Sequence, residues 1–481
     1  MKSAPSTGWS PSPPRPQARF NPPLIQALLN YDQHQRRRFH VPAHAGSRLL
    51  PPDWDLLCDP YRYDLTEVEG LDVLSEPTEC LADSQAAIAG LLDVAHSFFL
   101  VNGASVGLMA AMLAVVRPGD KVLLPRNVHR SVLSGLILAG AEPVWMLPER
   151  LSEWGLWGAV PPEAVEAALQ QNPDVTALFI TSPTYEGIGS DVQALAQICR
   201  AHQVYFIVDE AHGGLWPFSA ELPASACRLD CDAVIHSMHK TGGSLTQSAL
   251  AHLPKGSRIN PQVFQQALNT LQTTSPSYLL LASLEAACHA LSLPAGQERI
   301  AGLIERVRAL RADLHAHFQH YRLFEPQDLP AWDPCKLYLV NPGVSGEEWG
   351  PRIEAGERIA YESASPHGVL YLAGLGLEAD DFEYFRQVML QEDQRFASQC
   401  TALPPVDPVD KDTPVLLPEM AMLPREAFFA PGERVAKSQA IGRVAKETVV
   451  HCPPGIPVLM PGERVTSIHL PYLPPYVLVV Q

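Results

Sequence analysis

The sequence predicts an α/β fold, a mostly parallel sheet covered by helices on both faces. Three observations predict it. Between about residues 97 and 253, short apolar runs alternate with helical patterns. Those runs are apolar throughout, not on alternate residues, as strands buried on both faces require. Polar, chemistry-bearing residues follow the runs at their carboxyl ends, where such sheets bind ligands.

In order, Ser97–Val101 reads as a strand and Val106–Val116 as a helix. Lys121–Leu124 is a strand, with a helix from about Val128. Pro143–Leu147 is a strand and Pro162–Gln171 a helix. Val175–Thr181 is a strand, with a helix over Val192–His202, and Tyr205–Val208, Ala233–His236 and Ala249–His252 close the series. Helices dominate from about Pro261 to Tyr321. A smaller α+β unit follows, with strands at Lys336–Val340 and Val369–Ala373 and a helix from Asp380 to Gln391. Pro404–Pro418 has the composition of a linker, and short strands with Pro-Gly turns make the remainder a small β-rich unit. The predicted division is an N-terminal arm (1–50), a large domain (51–300), a small α+β domain (301–400) and a C-terminal domain (401–481).

A chain of 481 residues, 46% hydrophobic, can bury a large core. Its 35 basic and 52 acidic side chains leave a net charge of −17, which argues against a nucleic-acid partner. The longest apolar stretch, Phe98 to Val116, is broken by Asn102-Gly-Ala-Ser105 and reads as strand, turn and helix, so no membrane span is expected. Met1 to about Pro23 is rich in Pro, Ser and Gln and has no signal-peptide core. Nine scattered cysteines suggest reduced thiols and a cytoplasmic protein. Only Cys227 and Cys231 lie close together, with no second pair to complete a zinc set, so no metal is expected.

The chemistry centres on Asp232-Ala-Val-Ile-His-Ser-Met-His-Lys240, downstream of Val208-Asp-Glu-Ala-His-Gly-Gly214. A lysine at the mouth of a buried sheet is costly to bury as a cation. Pyridoxal phosphate removes that cost by tying the lysine up as an imine, and it needs a carboxylate for its ring nitrogen. Lys240 and Asp209 fit those two roles. Gly103 permits a tight turn in Asn102-Gly-Ala-Ser105, where free helix-start N–H groups and the Ser105 hydroxyl could cradle a phosphate. The alternative is an ordinary turn with Ser105 as N-cap. His129 could stack on an aromatic cofactor, Ala211 is small enough for a ring to lie against, and His212 is ambiguous between site and scaffold. Ser237 is a phosphate candidate. His239 could bind phosphate or substrate, or donate a proton.

These segments resemble the fold type I pyridoxal-phosphate-dependent ornithine/lysine/arginine decarboxylases, short class, without an N-terminal wing domain. Besides those above, the resemblance rests on Asp64-Leu-Thr-Glu-Val-Glu-Gly-Leu-Asp72, Arg126-Asn-Val-His-Arg-Ser131, Ser182-Pro-Thr-Tyr-Glu-Gly187, Leu245-Thr-Gln247, Gln272-Thr-Thr-Ser-Pro-Ser-Tyr278 and Pro453-Pro-Gly-Ile-Pro-Val-Leu-Met-Pro-Gly-Glu463. It implies decarboxylation of arginine, lysine or ornithine to the amine, feeding polyamine synthesis. It gives Lys240 the Schiff base, Asp209 the ring nitrogen and His129 the stacking face. Ala104, Ser105, Ser237 and His239 take the phosphate-contacting positions. Thr274 and Ser275 match a segment that completes a neighbouring subunit's site, which implies a homodimer with shared active sites. For the distal cation of the substrate, Glu463 and Glu186 are candidates. Three positions depart from the family pattern: Ala104 for a hydroxyl residue, Pro42-Ala-His-Ala45 for Pro-Gly-His-Lys, and Cys452 for an aromatic residue. Another fold type I enzyme (an aminotransferase or carbon–sulfur lyase) and a non-catalytic relative remain the alternatives.

Overall fold

The computed structural model describes residues 37–40, 42–44, 60–326, 328–399, 417–451 and 456–481. The reading of residues 1–23, most of the linker, Ala45 and Cys452 fall outside them.

After helix α1 (Cys80–Leu92), the series runs β1 (His96–Leu100), α2 (Gly103–Val115), β2 (Lys121–Pro125), α3 (Arg130–Ala139), β3 (Glu142–Met146), α4 (Pro162–Gln171), β4 (Val175–Thr181), α5 (Val192–Ala201), β5 (Tyr205–Asp209), β6 (Ala233–His236), the single turn α6 (Met238–Thr241) and β7 (Ala249–Leu253). These strands form one seven-stranded sheet in the order β1-β7-β6-β5-β4-β2-β3. The strands β6, β5, β4, β2 and β3 pair in parallel. Strand β7, which the sequence series treats like its neighbours, runs antiparallel to both β6 and β1. The reason is the connection. Parallel neighbours need a crossover, usually a full helix, whereas β6 reaches β7 through α6 and a loop only.

Each β-to-α crossover leaves a loop at the carboxyl edge, and the chain buries what lies between. Strands β6 and β7 are buried along their whole length. Helix α2 is apolar nearly all round because it is wedged between the sheet, α3 and the helix α7 (Pro261–Leu271). Its Gly107 permits that fit, since a Cβ there would stand 2.7 Å from Leu100 Cδ1.

Helices α8 (Tyr278–Ser292) and α9 (Pro294–His317) lead to an antiparallel sheet of four strands, β8 (Arg322–Leu323), β9 (Lys336–Val340), β10 (Ser363–Ala364) and β11 (Gly368–Leu372), in the order β8-β9-β11-β10. Helices α10 (Gly346–Glu357), between β9 and β10, and α11 (Ala379–Gln399), after β11, complete this unit. Every residue of β9 and β11 is buried. The C-terminal segment pairs Gly432–Ala436 with Tyr476–Val480 and Val449–His451 with Ile456–Leu459. No single helix among the described residues is long and apolar enough to cross a membrane.

Candidate active site

A cavity of about 350 Å³ opens at the carboxyl edge of the large sheet, and most of its wall comes from strand ends and the loops after them. Gly103, Ala104 and Ser105 follow β1, Asn127 and His129 follow β2, Thr181 ends β4, and Asp209 ends β5, with Ala211 and His212 beyond it. His239 and Lys240 come from α6. Tyr338 and Ser363–Ser365 close the cavity from the small sheet.

The phosphate turn behaves as an anion cradle. Gly103 adopts φ +76°, a left-handed conformation that costs glycine little. The start of α2 has no side-chain cap. Ser105 sits inside the first turn and does not cap it, so the N-cap alternative fails. The first N–H groups of α2 are left as donors beside the Ser105 hydroxyl.

His129 caps α3 through Nδ1, which accepts from Ser131 N at 3.2 Å. The same nitrogen is 2.7 Å from Ser131 Oγ. Burial first, then Lys240 and Arg130, push its pKa down to about 4, which leaves the ring neutral and flat-faced in the cavity wall. In the same cavity, Asp209 is buried and accepts from Ala211 N at 3.2 Å through Oδ1. Burial raises its carboxyl, with Lys240 opposing, so a cation brought next to it would stabilise the ionised form.

Lys240 is pushed down to about 8, chiefly by burial and with Lys336 adding to the effect, while Asp209 pulls the other way. Its Nζ is 2.9 Å from His212 Nε2. His212 is buried and held well below the ordinary histidine range by burial and by the neighbouring lysines. It also meets Tyr185 edge-on, 4.7 Å between ring centroids. His239 Nδ1 lies 3.0 Å from the Ser248 carbonyl, which accepts its proton and leaves Nε2 as the free lone pair.

Not every expected residue reaches the cavity. Ser237 is buried but is not part of its lining. Thr274 and Ser275 are exposed and lie outside it. Glu463 is fully buried elsewhere, bound by both terminal nitrogens of Arg126 at 2.5 and 2.9 Å and by Met460 N at 2.9 Å. Its carboxylate is already satisfied, which corrects the expectation that it meets a substrate cation. Glu186 does line the cavity, and Asp209 and Glu186 are the only carboxylates among the described lining residues.

Sequence reading missed Thr181, whose Oγ1 is buried without a partner in the cavity wall, and Asn127, whose Oδ1 is likewise unpartnered. Their positions, at the end of β4 and just beyond β2, are the signal that would have found them. It also missed Lys336, which is 1% exposed and lies 3.2 Å from His212 Nδ1.

An uncapped helix start, a buried carboxylate, a neutral imidazole face and a lysine of lowered pKa thus converge at one sheet edge. Orphaned polar atoms in the wall add donors and acceptors for a polar cofactor. Together they suit pyridoxal phosphate, and with the fold they define a pyridoxal-phosphate enzyme of fold type I. Solved structures agree on the fold: the constitutive lysine decarboxylase of Escherichia coli superposes with a TM-score of 0.72 at 20% identity, covering 96% of this chain and 82% of that one. A lysine decarboxylase of Francisella novicida gives 0.74 at 18% identity, covering 87% and 74%.

The chain belongs to the Orn/Lys/Arg decarboxylase family, matching its major domain over residues 22–350 and its C-terminal domain over 410–477. It is 31% identical over 462 residues to an arginine decarboxylase of Bacillus subtilis (94% of this chain, 92% of the relative). It is 32% identical over 460 residues to one of Halalkalibacterium halodurans (94% and 92%). It is a pyridoxal-phosphate-dependent decarboxylase of basic amino acids.

Proposed function

We propose that arginine is the substrate and that Glu186 receives its guanidinium. One observation carries the assignment of Glu186: apart from Asp209, it is the only carboxylate among the described residues of the cavity lining. Burial raises its carboxyl, and Thr184 Oγ1 donates to it at 3.1 Å. An arriving cation would restore its charge and gain a charge-assisted pair in a dry site. The names of the relatives support arginine over lysine.

When bound, pyridoxal phosphate supplies an electron sink for the bond to the α-carboxylate. Ser105 and the N–H groups at the start of α2 would hold its phosphate, His129 and Ala211 would flank its ring, and Asp209 would keep the ring nitrogen protonated. Lys240, an amine of lowered pKa in the cavity wall, would be the residue that holds it covalently. Lys240, or His239 once its Nε2 has taken up a proton, would supply the proton to Cα after carbon dioxide departs, so one proton is consumed for each amine formed. Thr274 and Ser275 complete the site of a second subunit in a homodimer. The amine product feeds polyamine synthesis.

The test is amine and carbon dioxide release from arginine, lysine and ornithine, with the cofactor's spectrum recorded. Release chiefly from arginine is expected, with Glu186→Gln raising KM for arginine more than it lowers kcat. Preference for lysine or ornithine would overturn the substrate. An unchanged KM in Glu186→Gln would overturn the role of that carboxylate. Build-up of pyridoxamine phosphate without carbon dioxide would mean transamination.

A further inference from the structure

Behind the candidate active site, the fold gathers metal-ligating side chains that sequence spacing did not reveal. His236 on β6 and His252 on β7 are diagonal neighbours across the antiparallel pair, in which His236 faces Leu250 and His252 faces Val234. The two therefore project from the same face of the sheet, with ring centroids 5.0 Å apart. Cys227 lies over them, and one donor atom from each of the three lies within 4.8 Å of the others. All three are buried, at 2% exposure for Cys227 and 0% for the histidines.

Their polar atoms are unaccounted for. Both nitrogens of His236, Nε2 of His252 and Oε1 of Glu210 are buried without a hydrogen-bond partner. Orphans are rare in protein interiors, because each costs about 1–3 kcal/mol. Four of them around one thiol require an explanation. Glu210 Oε1 stands 3.2 Å from His236 Nε2 without hydrogen-bond alignment.

We propose that Cys227, His236 and His252 form a buried site for a thiophilic divalent transition metal, zinc above all. One sulfur and two imidazole nitrogens suit zinc's ligand preferences, and none of the three lines the active-site cavity, so the site is structural. The Cys227 thiolate, with the Glu210 carboxylate beside His236, offsets the charge of the ion, which lessens the main objection to burying it. The donors are also oriented. His252 Nδ1 is held 2.8 Å from Ser97 Oγ, which turns Nε2 toward the cluster. Glu210 Oε2 accepts from Ala226 N at 2.7 Å, tying the end of β5 to the turn that carries Cys227. Binding displaces the Cys227 proton, which burial otherwise holds in place.

The holoenzyme produced in zinc- and in cobalt-supplemented minimal medium, washed with chelator, should retain stoichiometric metal by elemental analysis. Its cobalt form should show intense tetrahedral d–d absorption and a thiolate-to-cobalt charge-transfer band. Cys227→Ser should lose that band, and His252→Gln should lose the stoichiometry. A folded, pyridoxal-phosphate-binding protein free of metal from both media would overturn the site. So would a weak octahedral cobalt spectrum, or metal content and spectrum unchanged in both variants.

Discussion

Lys336 Nζ lies 3.2 Å from Nδ1 of His212, on the far side of the imidazole from Lys240. A neutral imidazole has one donor nitrogen and one acceptor. Burial lowers the pKa of Lys336, against the pull of the carboxylates of Asp333, Glu362 and Glu186. With Lys336 as the donor to Nδ1, the ring's proton sits on Nε2 and points at Lys240 Nζ. That nitrogen can accept it only as the neutral amine. The pair thus selects the nucleophilic form of Lys240.

Replacing Lys336 with Met removes a like charge that lowers the Lys240 pKa. The value should rise, and each unit of rise leaves about tenfold less neutral amine near pH 7. Uptake of pyridoxal phosphate by the apoprotein, followed against pH, should move to higher pH. A profile that stays in place would sever Lys336 from this role.

In the unmodified apoprotein, the rate of cofactor uptake should climb to a plateau above about pH 8, where the Lys240 amine is neutral. An ordinary lysine, near pH 10.4, would give a rate still climbing there. Lys240→Ala should abolish turnover and the absorbance of the lysine-bound cofactor. Turnover retained by that variant would remove Lys240 from the centre of the reaction.

Asp209→Ala should lower kcat on the order of 10²–10³-fold, the usual size for losing one preorganised electrostatic partner. KM should change far less, because the carboxylate acts on charge that develops during the reaction. Equal losses in binding and turnover would show that Asp209 only shapes the cavity.

Breaking the Arg126–Glu463 pair should cost about 3–5 kcal/mol, since either partner alone leaves a buried charge. Arg126 also lies over the Trp145 ring, 4.7 Å from its centroid. Arg126→Met should therefore lower the thermal midpoint and expose the C-terminal segment to protease. Glu463→Gln should leave KM for arginine unchanged while the protein stays folded. A selective rise in that KM would return Glu463 to the substrate.

Strand and helix order in the large sheet was legible because buried strands advertise themselves as continuous apolar runs. Val175–Thr181 and Ala233–His236 have the bounds read from sequence. The direction of β7 was not legible, since apolarity carries no polarity of chain. The residues at the carboxyl edge were legible as chemistry: Asp209, His129 and Lys240 line one cavity. Glu463 was misread because a charged residue in a conspicuous motif looks functional until its partner, more than 300 positions earlier, is visible. Lys336 and the His236–His252 pair escaped for the same reason, since each depends on a neighbour that only the fold supplies.

The antiparallel strand β7 sits between β1 and β6, so the first strand of the sheet gains its hydrogen-bonded neighbour only from residues 249–253. A nascent chain ending before Ala249 has made every other strand of that sheet and still cannot dock the Asn102–Ser105 turn. Contacts this distant in sequence form slowly. Cofactor capture is therefore timed to the completion of the whole large sheet, and a truncated or stalled product lacks the cradle needed to take pyridoxal phosphate out of circulation.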